Sequence, residues 1–578
     1  MSITSPDNTA IQQQSQELEA AEAQGFGTAS KTYLKYSGPG WLQSAITLGG
    51  GSLSGALFLG ILGGTSLLWL QLVAIIMGVI MLSAISYITL STGKKPFQAI
   101  NEHINPALGW GWLIATITAN MLWCMPQFSL CFAALQKNLV GDAIGDSTLS
   151  KIGVSITILA VAFFFLKLNE SGNKAGKLFD IFLKVLVGLI VLSFFAVVVF
   201  LALEGKVIWG EILKGFIPNP GHWTTPGGEV PELLKALPEA AQTFWSEAVV
   251  KQQRAIMIGA AATAVGINMT FLLPYNLLSK GWNKSFRGLS RFDLCTAMAV
   301  PYILATTCVV IASASMFHAN IDKKLASDDP VIIQTSENYG AVKDQILARA
   351  AKVDGIKTEG ISDEDALALV AASPAQERQI ASSLIKRNAF QLSAALSPIL
   401  GETKASYVFG FGIFGMGFST IIILMLINGY AFCELLGKPQ GGQLHLVGCL
   451  VAGICGALWP LVWDGPAKLW LAILVSAFGM MLLPIAYTTF FMMMNSKKLM
   501  GEEKPKGGKL TVWNILMGIS VVGAFVAAIT AVVDKASNPT AGFVVAIAGA
   551  ILLLCLAAYA QAPKIKALEK RIQDLENN

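Results

Sequence analysis

The chain has 578 residues, of which 54% are hydrophobic and only 13% charged, about half the charge density of a water-soluble globular domain. That make-up excludes an ordinary soluble enzyme. The net charge of +5 does not mark a nucleic-acid partner, because the basic residues sit in short loops beside apolar runs rather than in one stripe.

In chain order, the N-terminal tail (1–37) is rich in Gln, Glu and Ala and has no apolar core of signal-peptide type, so no cleavage is expected. Apolar runs then predict spans near 38–62, 65–91, 107–137, 152–168 and 178–203, a first five-span unit covering 38–203. A loop at 204–254 precedes a second unit, 255–493, with spans near 255–279, 293–317, 405–436, 443–463 and 467–493. Spans near 511–533 and 540–561 follow within 494–561, and a tail, 562–578, ends the chain. Each run is long enough to cross about 30 Å of hydrocarbon as a helix, which satisfies its own backbone polar groups. The expected fold class is therefore an all-α integral membrane protein of about 12 transmembrane helices.

Lys and Arg gather in alternate short loops. Lys31 and Lys35 precede span one, Lys94 and Lys95 follow span two, and Lys174 and Lys177 follow span four. Lys280, Lys284, Arg287 and Arg291 follow span six, Lys497 to Lys509 follow span ten, and Lys564 to Arg571 follow span twelve. This places both termini in the cytoplasm of a bacterial-type inner (plasma) membrane, and 204–254 and 318–404 outside it. Within 318–404, Ser362-Asp363-Glu364-Asp365 and Ser373-Pro374-Ala375-Gln376-Glu377 read as helix starts, so this insert is expected to be a small helical cap. The eight cysteines fall almost wholly in apolar runs and read as packing residues.

Two spans carry breaks. In the first, Ser44-Ala45-Ile46-Thr47-Leu48 runs into Gly49-Gly50-Gly51-Ser52, and three glycines cost about 1 kcal/mol each against Ala in a helix, so the helix is expected to unwind. In the sixth, Asn268 to Leu273 meets Pro274-Tyr275-Asn276, where proline predicts a bend or opening. Unpaired backbone at membrane depth persists only where it lines a cavity or is buried, and matching broken helices that open two five-span units point to a transport site between them. Residues expected to converge there are Gln43, Thr47, Gly49, Gly50, Gly51 and Ser52 from span one and Thr270, Leu273, Pro274, Tyr275 and Asn276 from span six. Asn120, Gln127, Asn268 and Asn428 are further intramembrane amides, each of which serves equally well as an interhelical hydrogen-bonding group. Asp180, Lys184 and Glu434, near span ends, read as interfacial charges, and the glycines of 409–418 as packing or a hinge.

Gly38-Pro39-Gly40-Trp41-Leu42 with a break ten residues on, Gly64 to Trp69, Ser91-Thr92-Gly93-Lys94, Gly266-Ile267 and Leu273-Pro274-Tyr275-Asn276-Leu277 together resemble the NRAMP-type divalent metal transporters. The resemblance implies the LeuT-type five-plus-five inverted repeat with two additional spans and, for typical members, proton-coupled uptake of transition metals, with no cofactor. The residues depart from that family at its metal site. Its Asp-Pro-Gly-Asn aligns with Gly49-Gly50-Gly51-Ser52, its Met-Pro-His-Asn with Leu273-Pro274-Tyr275-Asn276, and a further histidine with Lys280. None of the usual metal ligands is therefore expected. Two cargo classes stay open: a divalent cation that keeps part of its water shell, and an uncharged or zwitterionic organic solute suited to Tyr275, Gln43 and Trp123. A sensor that keeps the fold without transport is a third reading. No His lies in a span core, and no nucleophile-base pair marks an enzyme. The partners expected are the bilayer and a small solute or ion, with the oligomeric state left open.

Overall fold

The computed structural model describes residues 8–170, 173–318, 322–385, 401–462, 470–536, 545–552 and 555, and among them every regular element is helical. Nine described helices are long and apolar enough to cross a membrane, and Pro39–Thr47 with Gly50–Gly63 makes a tenth crossing, bent by 52°. The shorter apolar helix Gly442–Ala457 stands at the ninth expected span. The twelfth, 540–561, lies largely outside the described residues.

Two boundaries differ from expectation. Span six starts at Glu239, 16 residues before the expected 255, because Glu239–Ala264 is one continuous helix that projects beyond the bundle. The preceding loop is correspondingly shorter and carries the helices Trp209–Gly215 and Val230–Lys235. Second, the helix is interrupted at Val265–Gly266, not at Pro274, which sits inside the unbroken helix Ile267–Ser279. Proline's missing N–H and ring clash are absorbed within that 13-residue helix, while Val265 (φ −145°, ψ 107°) ends the preceding one and Gly266, also extended (φ −88°, ψ 169°), opens this one.

Glycines set the packing of span eight. Glu402–Leu435 is a continuous 34-residue helix, so the glycine run of 409–418 is no hinge. A Cβ at Gly417 would lie 2.6 Å from Cys131 Sγ, and one at Gly412 3.1 Å from the Ser193 side chain. These close approaches draw spans three and five onto span eight. Trp112, fully buried, meets Phe271 at a tilt (4.6 Å) and Phe490 edge-on (5.4 Å).

Between 322 and 385 the described insert carries short helices. Ser362 caps Asp363–Ala372 by accepting from the Asp365 N–H, and Pro374 precedes Ala375–Ser383. Gln252 Nε2 of the projecting start of span six donates to the Leu384 carbonyl of the insert at 3.2 Å, and the exposed Lys352–Glu247 pair lies at 2.9 Å. At the opposite end of the bundle, the tail forms the helices Asn8–Ala23 and Phe26–Tyr36, and Tyr33 packs on Phe292 at 5.3 Å. The buried Asp293 carboxylate accepts the Gly38 and Gly40 N–H groups (3.2 and 2.5 Å) and the Ser37 hydroxyl, which pins the start of span one to the start of span seven.

Candidate functional site at the paired helix breaks

Both breaks share one backbone solution. Gly49 (φ −91°, ψ 179°) precedes Gly50–Gly63, and Gly266 (φ −88°, ψ 169°) precedes Ile267–Ser279. Neither needs positive φ, so glycine is there for space. A Cβ would fall 2.5 Å from Thr420 Oγ1 at Gly49, 2.6 Å from Leu130 Cδ2 at Gly50, 2.7 Å from Thr263 Cγ2 at Gly51 and 2.6 Å from Trp123 Cζ3 at Gly266.

Between the breaks lies a cavity of about 30 Å³. At 10–15 Å³ per water position, it holds about two water-sized occupants. Its lining includes Gly49, Gly51 and Ser52 of span one, Thr263, Gly266, Asn268 and Met269 of span six, Trp123 and Gln127 of span three, Thr420 of span eight and Ser476 of span ten.

Three of the four hydroxyls in the lining, all but that of Ser476, have committed their hydrogens. Thr263 donates to the Ala260 carbonyl (2.7 Å), Thr420 to that of Met416 (2.8 Å), and Ser52 to that of Thr47. What they offer the cavity is therefore oxygen lone pairs. Gln127 Oε1 accepts from the Gly50 N–H at 2.9 Å and retains a second lone pair. The Met269 thioether is held by the Thr47 hydroxyl at 3.5 Å. The carbonyl ends of Pro39–Thr47 and Glu239–Ala264 terminate at the breaks, each equivalent to roughly −0.5 charge at a helix C-terminus. Against these acceptors stands the Asn268 amide, whose Nδ2 is buried without a hydrogen bond. No Asp, Glu, His or Cys lines the cavity, and no cluster of three or more such residues with metal-binding geometry occurs among the described residues.

Of the residues expected to converge, Gly49, Gly51 and Ser52 line the cavity, while Gly50 and Thr47 support it through Gln127 and Met269. The other six stand apart from its lining. Thr270 is an interhelical bonding group, accepting from Trp112 Nε1 at 2.9 Å. Leu273, Pro274 and Gln43 are buried in the packed interior. Tyr275 belongs to an aromatic ladder, stacked on Phe271 (4.5 Å) and Tyr430 (6.1 Å), with Tyr430 against His445 (5.0 Å). His445, in the first turn of Gly442–Ala457, is 2% exposed. Asn276 is buried one turn of helix beyond Leu272. The cause is the position of the break: the chain opens eight residues before Pro274, so residues just after Gly266 face the cavity. Sequence reasoning passed over Met269, Thr263, Thr420 and Ser476; the visible signal for Met269 was its place one helical turn before Leu273 and three residues after a glycine.

Glu434 forms an ion pair with Lys95 at 2.9 Å, as a charge at a span end should. The side chain of Asp180 lies outside the described residues, and Lys184 reaches the Ser37 carbonyl at 3.5 Å.

Comparison with known proteins agrees with this architecture. The profile of the family described as natural resistance-associated macrophage protein-like matches residues 40–330 and 366–534. The divalent metal cation transporter MntH of Brucella suis is 25% identical over 193 residues, 33% of this chain and 39% of that protein. The metal transporter Nramp2 of Populus trichocarpa is 32% identical over 196 residues, a third of each chain. The matched stretches thus span well under half the length of these relatives. A crystal structure of a manganese transporter from Eremococcus coleocola superposes with a TM-score of 0.60 at 15% identity, covering 92% of this chain and 96% of that one. A mutant of the same transporter gives 0.62 at 16%. The all-α fold is thus the LeuT-type arrangement of an integral membrane protein, and the chain belongs to the natural resistance-associated macrophage protein (NRAMP) family.

Proposed function

We propose that the chain is a secondary transporter that carries a metal cation, divalent as in the names of its relatives, by alternating access around the cavity between Gly49 and Gly266. The observation that carries this reading is the polarity of the lining. Three hydroxyls whose hydrogens are engaged, an amide oxygen, a thioether and two helix carbonyl ends present acceptors, and acceptors select a cation. Size argues the same way: room for about two water-sized occupants fits an ion with a remnant of its water shell and excludes an amino acid or sugar from this conformation.

The family's carboxylate is replaced by Gly49, so the site is formally neutral. A bare dication in a neutral, low-dielectric site is costly, and retained water lowers that cost. The family's thioether position is Leu273, and Met269 supplies sulfur one turn earlier. That sulfur favours a borderline or soft transition metal over Mg²⁺. No group lining the cavity titrates near neutrality, so a coupled proton would be held elsewhere. The matching glycine conformations at the two breaks support two related five-span units, and the alternation of Lys and Arg supports both termini being cytoplasmic.

Proteoliposomes test the reading. Mn²⁺ uptake should exceed that of empty vesicles, and Mg²⁺ uptake should be slower. The absence of uptake, together with no calorimetric heat for any dication, would sink it; heat without counterflow would identify a sensor.

A further inference from the structure

We propose that a second site, between spans two, six, ten and eleven, binds an uncharged lipophile bearing one hydrogen-bond acceptor, drawn from the bilayer, and that its occupancy restrains the break in span six. A cavity of about 270 Å³ lies there, distinct from the ion-sized one, with which it shares no lining residue, although both flank the span-six break. Met77, Met257, Val265, Met480, Tyr487 and Ala527 line it, one or two from each of the four helices. Apart from Trp223, which covers one end, every lining residue belongs to a membrane-crossing helix, and Val526 at its rim is 53% exposed. The medium at that rim is hydrocarbon, so the occupant arrives from lipid.

The lining also states what the occupant carries. Tyr487 is only 3% exposed, and its hydroxyl makes no hydrogen bond to any described residue. A donor left without a partner in an otherwise apolar cavity is costly, and an acceptor on the ligand removes that cost. Water is a poor substitute, since it needs two to four polar partners and the lining is otherwise almost wholly apolar. The flexible side chains of Met77, Met257 and Met480 adapt to a chain of irregular shape. A charge has no counterpart here, which limits the ligand to neutral molecules.

The cavity reaches the moving part directly. Val265 is one of the two non-helical residues of the span-six break (φ −145°, ψ 107°), and it also packs on Gly78 of span two, where any Cβ would collide with it. An occupant between Val265 and span eleven removes the space into which this residue would swing, so occupancy slows transport. That last step rests on the alternating-access reading; the binding itself does not.

The experiment photolabels the full chain in nanodiscs with a diazirine-bearing hexadecanol. Peptides containing Met257 and Tyr487 should be labelled about tenfold above the lipid-facing peptide with Ile529, at probe levels giving half-maximal labelling. Ala527→Trp, which fills the cavity, should abolish the excess. Tyr487→Phe keeps the volume and should weaken labelling about fivefold, as for one lost neutral hydrogen bond. In proteoliposomes, the unmodified alcohol should slow Mn²⁺ uptake by the wild type and not by Ala527→Trp. Equal labelling of cavity and lipid-facing peptides, or labelling indifferent to both variants, overturns the site. Labelling without any effect on uptake overturns its action on the break. A chain that labels as expected but moves no cation leaves the site standing and removes the transport reading.

Discussion

The Thr47 hydroxyl donates to the Met269 thioether at 3.5 Å, tying the last turn before the span-one break to the first turn after the span-six break. One sulfur is thereby oriented by the opposite repeat, at a site with no carboxylate to dominate it. Met269→Leu keeps the volume and removes only the soft ligand. It should weaken Cd²⁺ or Mn²⁺ binding by about tenfold, the equivalent of one modest ligand contact, and leave Mg²⁺ binding nearly unchanged. Calorimetry on the purified chain checks this, and an equal loss for both ions would assign Met269 to packing.

How much of this was legible beforehand depended on which physical signal each residue carries. The spans and the helical insert could be read because length, apolarity and caps such as Ser362 are local properties. Gly49 to Ser52 could be read because three consecutive glycines have a large helical penalty. The span-six break could not: Pro274 has the stronger local signal, yet tertiary packing keeps Ile267–Ser279 helical, and the chain opens at Gly266, where the Trp123 ring leaves no room for a side chain. That shift of about two turns removed Tyr275 and Asn276 from the cavity and brought Met269 in. Thr420 and Ser476 come from helices distant in sequence and carry no local mark at all.

Gly40 and Asp293 form the clearest test of the opposite end of span one. The Asp293 carboxylate takes two N–H groups at the start of Pro39–Thr47, where a negative charge also meets the positive end of the helix. A Cβ at Gly40 would lie 2.8 Å from the Asp293 carbonyl carbon, so Gly40→Ala must push the two elements apart. The variant should favour release of this half-helix by at least about tenfold. A cysteine at Ser44, fully buried here, should then react faster with an impermeant maleimide added from the face that carries the N-terminal helices. Unchanged reactivity would place the gate elsewhere.

Arg378 should govern the insert. It is 1% exposed and donates to the carbonyls of Leu325 (2.7 Å), Ala371 (3.1 Å), Ser373 (2.5 Å) and Ser327 (3.2 Å). Burial holds its pKa below the usual guanidinium value, while Asp328 opposes that trend. Arg378→Met fills some of the volume but leaves these carbonyls unpaired, at a cost of about 3 kcal/mol or more. Limited proteolysis should cut the variant within 322–385 far faster than the wild type, whereas the exposed pair Lys352–Glu247 should tolerate Lys352→Ala with little change.

His318 gives the pH dependence of a vestibule, a cavity of about 810 Å³ beside the loop after span five. Its Nε2 accepts the Glu229 N–H at 2.9 Å, so the ring proton must sit on Nδ1, which faces the Ile61 carbonyl at 2.9 Å. Only the neutral ring makes both bonds. Burial lowers the His318 pKa below its ordinary 6.5, with the Ile61 carbonyl and the Glu229 carboxylate opposing; His222, Glu211, Lys206 and Lys214 are the other ionisable groups around the vestibule. Because the folded-state value is the depressed one, the stabilisation is complete above about pH 6.5 and is lost as the pH falls through the lower folded value. Acidification from pH 7.5 toward 5 should therefore loosen the Glu229 loop from the end of span one. The hydrogen-exchange protection factor at the Glu229 N–H should fall on acidification in the wild type and stay flat in His318→Gln, whose amide does not titrate. Equal protection at both pH values in the wild type would mean that the loop is held by contacts other than this imidazole, such as the Ser66 hydroxyl that accepts the Gly228 N–H at 3.0 Å.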